Sequence, residues 1–437
     1  MTGRIAMVTG GSYGDINPFV GLALELKARN YHPVIVSHSC WRETIERAGI
    51  EAKTFEWDLP QDLTQWFNAA FLMNNVLKSY RPLANIVRGN DVVVSLAMIG
   101  LGPLMAAPLV AEAHRIPWIA VVLEPFSFFS SFETRVLPFA GHGLPSTGPA
   151  APGTTVWWCQ QMARTCLVHM RATLEAVRPA LGLNPEERND LRDFERADLV
   201  LALFSKLLGS RQPDWPRNAV SAGFVKHDGH EQQAWPAELE RFLADGPPPV
   251  VFTLSSDAVL APDPCFWLKC MLAARAVGRR AVMVGLTLPG NADAVAPAVS
   301  PDFCFVRSVS FAALFPRAAA IVHHGGIGTS ALALRAGKPM LLIPGEYAQP
   351  DIAARLQRLG VARTIPRPAF NGPAVAAGLW ALLNSPSYSQ AAQKVAAELA
   401  HEDGASNACD AIENVIRTRR PQESAATKAA PASGQST

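Results

Sequence analysis

Residues 322–344 read VHHGGIGTSALALRAGKPMLLIP. Two histidines stand against a run of glycines, between one apolar strand and another. Glycine is costly in backbone entropy, so the run implies that something needs the bare backbone. The string reads as a strand ending at Val322, a turn at Gly325, Gly326 and Gly328, and a helix from Thr329 to Ala336 stopped by Gly337. The first amides of such a helix have no internal partners and carry the positive end of its dipole. That is a site for phosphate, to which His324 adds a donor and Thr329 a hydroxyl. Taken alone, the glycines fit better a turn that only packs, with His324 capping a carbonyl.

The same strand–turn–helix beat fills the rest of the second half. PVVFTLS (Pro249–Ser255) precedes a helix over Cys265–Val277, and RAVMVGL, DFCFVRSV, AAIVHHGG and PMLLIPG follow as strands. A helix near Ser387–Thr418 comes next, and the polar remainder reads as disordered. The first half opens the same way, with RIAMVT, the turn GGSYGD, a helix and the strand HPVIVS (His32–Ser37). DVVVSL, a helix near Pro103–His114, PWIAVVL (Pro117–Leu123) and ADLVLAL (Ala197–Leu203) continue it. Repeated βαβ units predict an α/β fold of two facing, doubly wound parallel-sheet domains, with ligands at the carboxyl ends of the strands. The expected bounds are 1–215 and 216–418, with a tail at 419–437 and the linker in the proline-rich stretch RQPDWPRNAVSAGFVKHDGHEQQAWP. The last helix is free to pack back on the first domain.

Bulk properties fit. A chain of 437 residues is long for one core. A net charge of +2 is too mild to argue for a nucleic-acid or membrane surface. Seven scattered cysteines, without a zinc spacing, suit reduced thiols in a cytoplasm. No signal peptide is expected, since the first residues run straight into a glycine turn without a long apolar stretch. The most membrane-like stretch, Val92–Ala111, is broken by Gly100, Gly102, Pro103 and Pro108, so it reads as strand, turn and packed helix. No transmembrane segment is expected, which leaves room for peripheral membrane contact.

The strings HHGGIGT, RAGKP and MLLIP, with GSYGDINPFVGLALELKARNYHPVIVS near the start and VSFAALFPRAAAIV before the glycine turn, resemble the GT-B glycosyltransferases of family 1. The similarity is to the bacterial and sterol-glucosyltransferase branch. PDWP, ELERFLADGPPPVVFT and IGTSALALRAG are similar to the rhamnosyltransferases of rhamnolipid synthesis within it.

The resemblance implies an inverting transfer of a hexose or deoxyhexose from a UDP- or dTDP-linked sugar to an apolar alcohol, a lipid or natural product. It assigns the donor to Ser12, Ser255, Ser256, Ser308, Val309, His324, Gly326, Gly328, Thr329 and Gln349. No cofactor and no metal are expected, since amides and a helix dipole can stabilise the leaving diphosphate. The acceptor hydroxyl needs a base. Asp15, in the first glycine turn, is the expected one, although Asp also caps helices well and a helix start is expected near Pro18. Glu124, after PWIAVVL, is a reserve base or a solvated strand-end acid. Phe126, Phe128, Phe129, Phe132, Trp157 and Trp158 line an apolar acceptor pocket or simply form core.

Two departures from the family pattern stand out. The Asp-Gln pair expected to hold sugar hydroxyls reads Ala348–Gln349, with Asp351 three positions on, and a Gly-Ser turn reads Ser255–Asp257. A nucleotide-sugar epimerase on the same architecture, or a silent homologue acting as a binding protein, is the alternative.

Overall fold

The computed structural model describes residues 3–58, 68–97, 101–130, 132–133, 136, 172, 174–184, 196–229, 235–253, 265–285, 300–345 and 347–428. Strands of the first sheet are β1 (Arg4–Val8), β2 (His32–Ser37), β3 (Glu51–Thr54), β4 (Val92–Leu96), β5 (Trp118–Val122), β6 (Leu199–Ala202) and β7 (Ala219–Ser221), in the order 3-2-1-4-5-6-7. The second sheet holds β8 (Val250–Thr253), β9 (Ala281–Val284), β10 (Phe303–Val306), β11 (Ala320–His323), β12 (Met340–Leu342) and β13 (Ala362–Thr364), in the order 10-9-8-11-12-13. Every pairing is parallel. Central strands such as β4 and β5 are buried at every residue, as sheets covered on both faces require. Strand order reverses between β1 and β4 and between β8 and β11. These switch points are where open α/β sheets hold ligands, and the two glycine turns follow β1 and β11.

The helices are α1 (Tyr13–Ala28), α2 (Arg42–Arg47), α3 (Ala69–Val87), α4 (Gly102–Ala113), α5 (Ala237–Ala244), α6 (Phe266–Ala276), α7 (Phe311–Leu314), α8 (Ile327–Arg335), α9 (Gln349–Arg358), α10 (Gly372–Asn384), α11 (Pro386–Leu399) and α12 (Gly404–Lys428). The stretch Val92–Ala111 is β4 and α4, as its glycines and prolines dictate. No helix among the described residues is long and apolar enough to cross a membrane.

Several elements have no counterpart in the sequence reading. Edge strands β3, β7 and β13 are only three or four residues long and half solvated, so no apolar run announces them. β7 lies within the stretch assigned to the linker. Helix α3 carries Pro82 in its interior, which masks the stripe Leu72, Val76, Leu83 and Val87. The single helix expected over Ser387–Thr418 is two, α11 and α12. Gly404 starts α12 where an added Cβ would overlap the Gly223 carbonyl oxygen, so the chain must turn to seat there. Helix α12 runs to Lys428, so the first part of the stretch 419–437 is helical. It lies against α1 of the first domain, where Asp410 pairs with Arg29 at 2.5 Å and the Asn407 amide donates to the Ala222 carbonyl at 2.9 Å.

One apolar cluster runs through the first domain and on to α8, α9 and α12. A second, smaller one fills the opposite face of the second sheet, between Phe252, Met283 and Leu341 and the helices α6 and α10.

Candidate active site

Strand β11 ends at His323, and Gly325 turns the chain at φ +90°, a conformation that favours glycine. Gly326 is the N-cap of α8 and supplies no side chain to its amides. The helix therefore starts at Ile327, slightly before the start expected from sequence, and Gly328 and Thr329 lie inside its first turn. Their amides have no acceptor in the helix, and residues 326–329 are half-buried rather than covered. Glycine is needed at 326 for close approach, whereas 328 is a point of ordinary contact. A Cβ on Gly326 would overlap His324 Nε2, and one on Gly328 would stand 3.6 Å from the Cα of Gly14 in α1. The starts of α1 and α8 thus meet across the interdomain cleft.

The histidines are buried. His323 Nδ1 accepts from the Gly325 amide at 3.1 Å. Burial holds His324 near 4, so its ring is neutral at physiological pH, and its Nδ1 has no partner among the described residues. Burial, then the neighbouring His324, pushes His323 well below the usual imidazole range. Val309 faces the core, leaving only its backbone to a ligand, whereas Ser308 is exposed just past β10. Ser255, Ser256, Asp257, Trp157 and Trp158 lie outside the described residues.

The first glycine turn is built by a capping box. Ser12 is the N-cap of α1; its Oγ accepts from the Gly14 amide at 3.2 Å. Asp15 Oδ2 accepts from the Ser12 amide at 2.8 Å and from Ser12 Oγ at 2.9 Å. So α1 begins at Tyr13, not near Pro18, and Asp15 sits at its third position rather than as the cap. The reciprocal bonds of the box outweigh the preference of Pro18 for a first turn. Gly11, at φ +123°, passes so close that a Cβ would lie 2.5 Å from Asp15 Oδ2. The half-buried Asp15 is thereby fixed in orientation in the first turn of α1.

Glu124 follows β5 and is not the solvated acid that its strand-end position suggests. Desolvation raises its carboxyl to about 7, against a hydrogen bond from Ser127 Oγ at 2.5 Å and with the charges of Asp15 and Asp351 adding to the rise. Phe128 is a correction: it is fully buried and stacked on Trp215 at 3.9 Å between ring centres, hence core and not acceptor wall. Its position in a short apolar turn gave no hint of which phenylalanine points inward. Phe126 is half-buried beside Phe129 at 5.5 Å, and Phe132 is exposed. Sequence reasoning missed a second aromatic group. Trp57 covers Gly10, where a Cβ would come within 2.9 Å of the indole, and Tyr13 meets Trp41 edge-on at 4.8 Å. These side chains converge from distant segments, so no local pattern could reveal them.

On the other side, Ala348 precedes α9 and is buried. Gln349 Oε1 accepts from the Gly345 amide at 2.9 Å, and the Gln349 backbone packs under Gly325. Asp351 is fully buried and engaged at both oxygens, by the Val136 amide at 2.9 Å and Arg355 Nε at 2.5 Å, so it does not stand in for the missing sugar-binding Asp. Arg355, also buried, bonds Glu133 and the Leu208 carbonyl, the latter at 2.7 Å. It ties α9 of the second domain to two loops of the first. No cluster of three metal-ligating side chains occurs among the described residues.

Comparisons with known proteins agree with this architecture. Residues 5–136 match the model of the glycosyltransferase family 28 N-terminal domain. Residues 274–414 match that of the erythromycin biosynthesis protein CIII-like C-terminal domain. The chain is 31% identical to the O-mycaminosyltylonolide 6-deoxyallosyltransferase of Streptomyces fradiae, over 95% of this chain and 98% of that one. It is 27% identical to the vancomycin aglycone glucosyltransferase of Amycolatopsis orientalis, over 97% and 100%. Among solved structures, the glycotransferase of kitacinnamycin shares the fold with a TM-score of 0.70 at 21% identity, covering 94% of this chain and 99% of that one. The glycosyltransferase VinC in complex with dTDP shares it at 0.62 and 18%, covering 95% and 100%.

Proposed function

Since the chain belongs to the family 1 GT-B glycosyltransferases, we propose that it moves a hexose or deoxyhexose from a dTDP- or UDP-linked donor to a hydroxyl of an apolar natural product, with inversion. One observation carries this reading: the uncapped, half-buried start of α8 meets the start of α1, which bears Asp15, at the Gly14–Gly328 approach.

The donor's diphosphate lies on the amides of 327–329, with neutral His324 and the Thr329 hydroxyl beside it. Fixed dipoles there take up the charge that develops as the bond from the sugar's anomeric carbon to the phosphate oxygen breaks. Asp15 removes the acceptor's proton as its oxygen attacks the opposite face of that carbon. The bond's electron pair leaves with the diphosphate, so configuration inverts. Ala348 and the engaged Gln349 Oε1 offer few acceptors to sugar hydroxyls, which favours a deoxysugar. The relative named for 6-deoxyallosyl transfer and the neighbour solved with dTDP point the same way. Tyr13, Phe126 and Phe132, which keep accessible apolar surface, are the side chains proposed to meet the acceptor, which suits the aglycones that the relatives' names describe.

The test is incubation with dTDP- and UDP-sugars and a panel of macrolide, glycopeptide and lipid alcohols. Nucleoside diphosphate release that requires the acceptor is the expected result. Sugar conversion without acceptor, or binding without turnover, would defeat the proposal.

Glu124 adds a pH signature. Ionised beside Asp15, it makes that carboxylate a stronger base, so kcat/KM rises with pH through about 7; Glu124→Gln removes this limb. The stability effect has the opposite sign. The folded state holds the proton to about 7 and the unfolded chain only to about 4.5, so the contribution of Glu124 falls as pH rises between them. Glu124→Gln is therefore expected to stabilise the protein at pH 8 by up to about 3 kcal/mol and to do little at pH 4. Equal effects at both pH values, measured by denaturant unfolding, would contradict the raised carboxyl.

A further inference from the structure

Helices α6 and α10 cover the face of the second sheet opposite the one whose core runs on into the first domain, and their outer surface is unusual. Leu268 and Leu272, one helical turn apart on α6, are 53% and 55% exposed, and Trp380 on α10 is 62% exposed. The solvent stripe of α10 runs Pro373, Ala377, Trp380 and Asn384, without a charge. Free helix faces normally carry charged residues of both signs. Here residues 265–285 and 362–384, which form this layer, hold no Asp or Glu; they carry Lys269, Arg275, Arg279, Arg363 and Arg367, and Arg280 is turned instead to the Phe242 and Pro247 carbonyls and the Phe242 ring. Arg275 and Arg363 are exposed, and Lys269 lies over the Phe370 ring at 5.6 Å. The chain as a whole carries nearly balanced charge, 39 basic against 37 acidic residues, so the segregation is local.

We propose that this face docks on an anionic phospholipid bilayer. An exposed indole and leucines enter the interface, where tryptophan is favoured, while the basic residues meet the lipid phosphates and acidic headgroups. The absence of acidic groups from these two segments matters as much as the presence of basic ones, since each carboxylate would be repelled from that surface. The second core holds α6 and α10 firmly on the sheet, so the docking face is preformed. The glycine turn that opens on the cleft lies at the start of α8, on the sheet's other face, and stays clear of the bilayer. A bilayer position would bring the cleft close to acceptors that partition into lipid.

The experiment is co-sedimentation of the full chain with vesicles of phosphatidylcholine alone and with ~30% phosphatidylglycerol, in low and high salt. Binding to the anionic vesicles, weakened by salt as screening requires, is expected. Trp380→Ser and Leu272→Ser should each weaken it about 10-fold, and Arg275→Glu similarly, as apolar and charged contacts with lipid both contribute. Leu77→Ser, an exposed apolar position on α3 of the other domain, should not. Protein that stays in the supernatant with every vesicle overturns the proposal. So does binding that is indifferent to Trp380→Ser, or a concentration-dependent dimer that the same substitutions dissociate, which would make a second copy of the chain the occupant. None of these outcomes depends on sugar transfer.

Discussion

Asp15→Asn should lower kcat by about 10²- to 10⁴-fold, the range for loss of a positioned general base, while nucleotide affinity stays within a factor of about two or three of wild type by the usual scatter of such contacts. Asparagine is the informative substitution because of the capping box. Its amide oxygen can still accept from the Ser12 amide and hydroxyl, as Asp15 Oδ2 does at 2.8 and 2.9 Å, so the start of α1 survives. Only the capacity to take a proton is lost. Asp15→Ala would remove the box as well, at about 0.5–2 kcal/mol of stability, and would mix two effects. Steady-state kinetics with dTDP titration separates turnover from donor binding. Undiminished turnover in the Asn variant would leave Asp15 with a structural role alone and would move the base to Glu124.

Arg355→Met is expected to destabilise the folded protein by ~3–5 kcal/mol, because it leaves the buried Asp351 and the half-buried Glu133 without their shared counter-charge. The guanidinium reaches Asp351 on its own helix and Glu133 and the Leu208 carbonyl on the first domain. Its loss therefore loosens the join between domains beneath the cleft as well as the local helix. Adding Asp351→Asn and Glu133→Gln removes the stranded charges and should restore most of the stability, since a neutral buried group need only keep its hydrogen bonds. The side-chain oxygen of the introduced asparagine could still accept from the Val136 amide, as Asp351 Oδ1 does. Urea unfolding followed by tryptophan emission measures both. A single variant within ~0.5 kcal/mol of wild type, the range of an ordinary surface change, would show that the cluster is not a clasp.

The architecture was legible wherever a local rule had no competitor. Buried parallel strands are apolar throughout, so β1, β2, β4, β5, β6, β8, β9, β11 and β12 stand out as runs. The turn at Gly325–Gly328 carries its own signature of glycine beside a histidine pair. Edge strands β3, β7 and β13 escaped because solvated positions tolerate polar residues. Helix starts shifted by a few residues where two local signals competed, as Ser12 and Pro18 did at α1.

The two sheets, the family and the glycine turn that starts α8 are all written in the chain itself, because each follows from periodicity or from a contiguous motif. Which side chains face the cleft was settled only by packing between distant segments. Phe128 turned inward to Trp215, Trp57 arrived over Gly10 from beyond β3, and Asp351 was drawn into Arg355 rather than toward a sugar. Packing also set the protonation of Glu124 and His324, since desolvation depends on everything that surrounds a group and not on its neighbours along the chain.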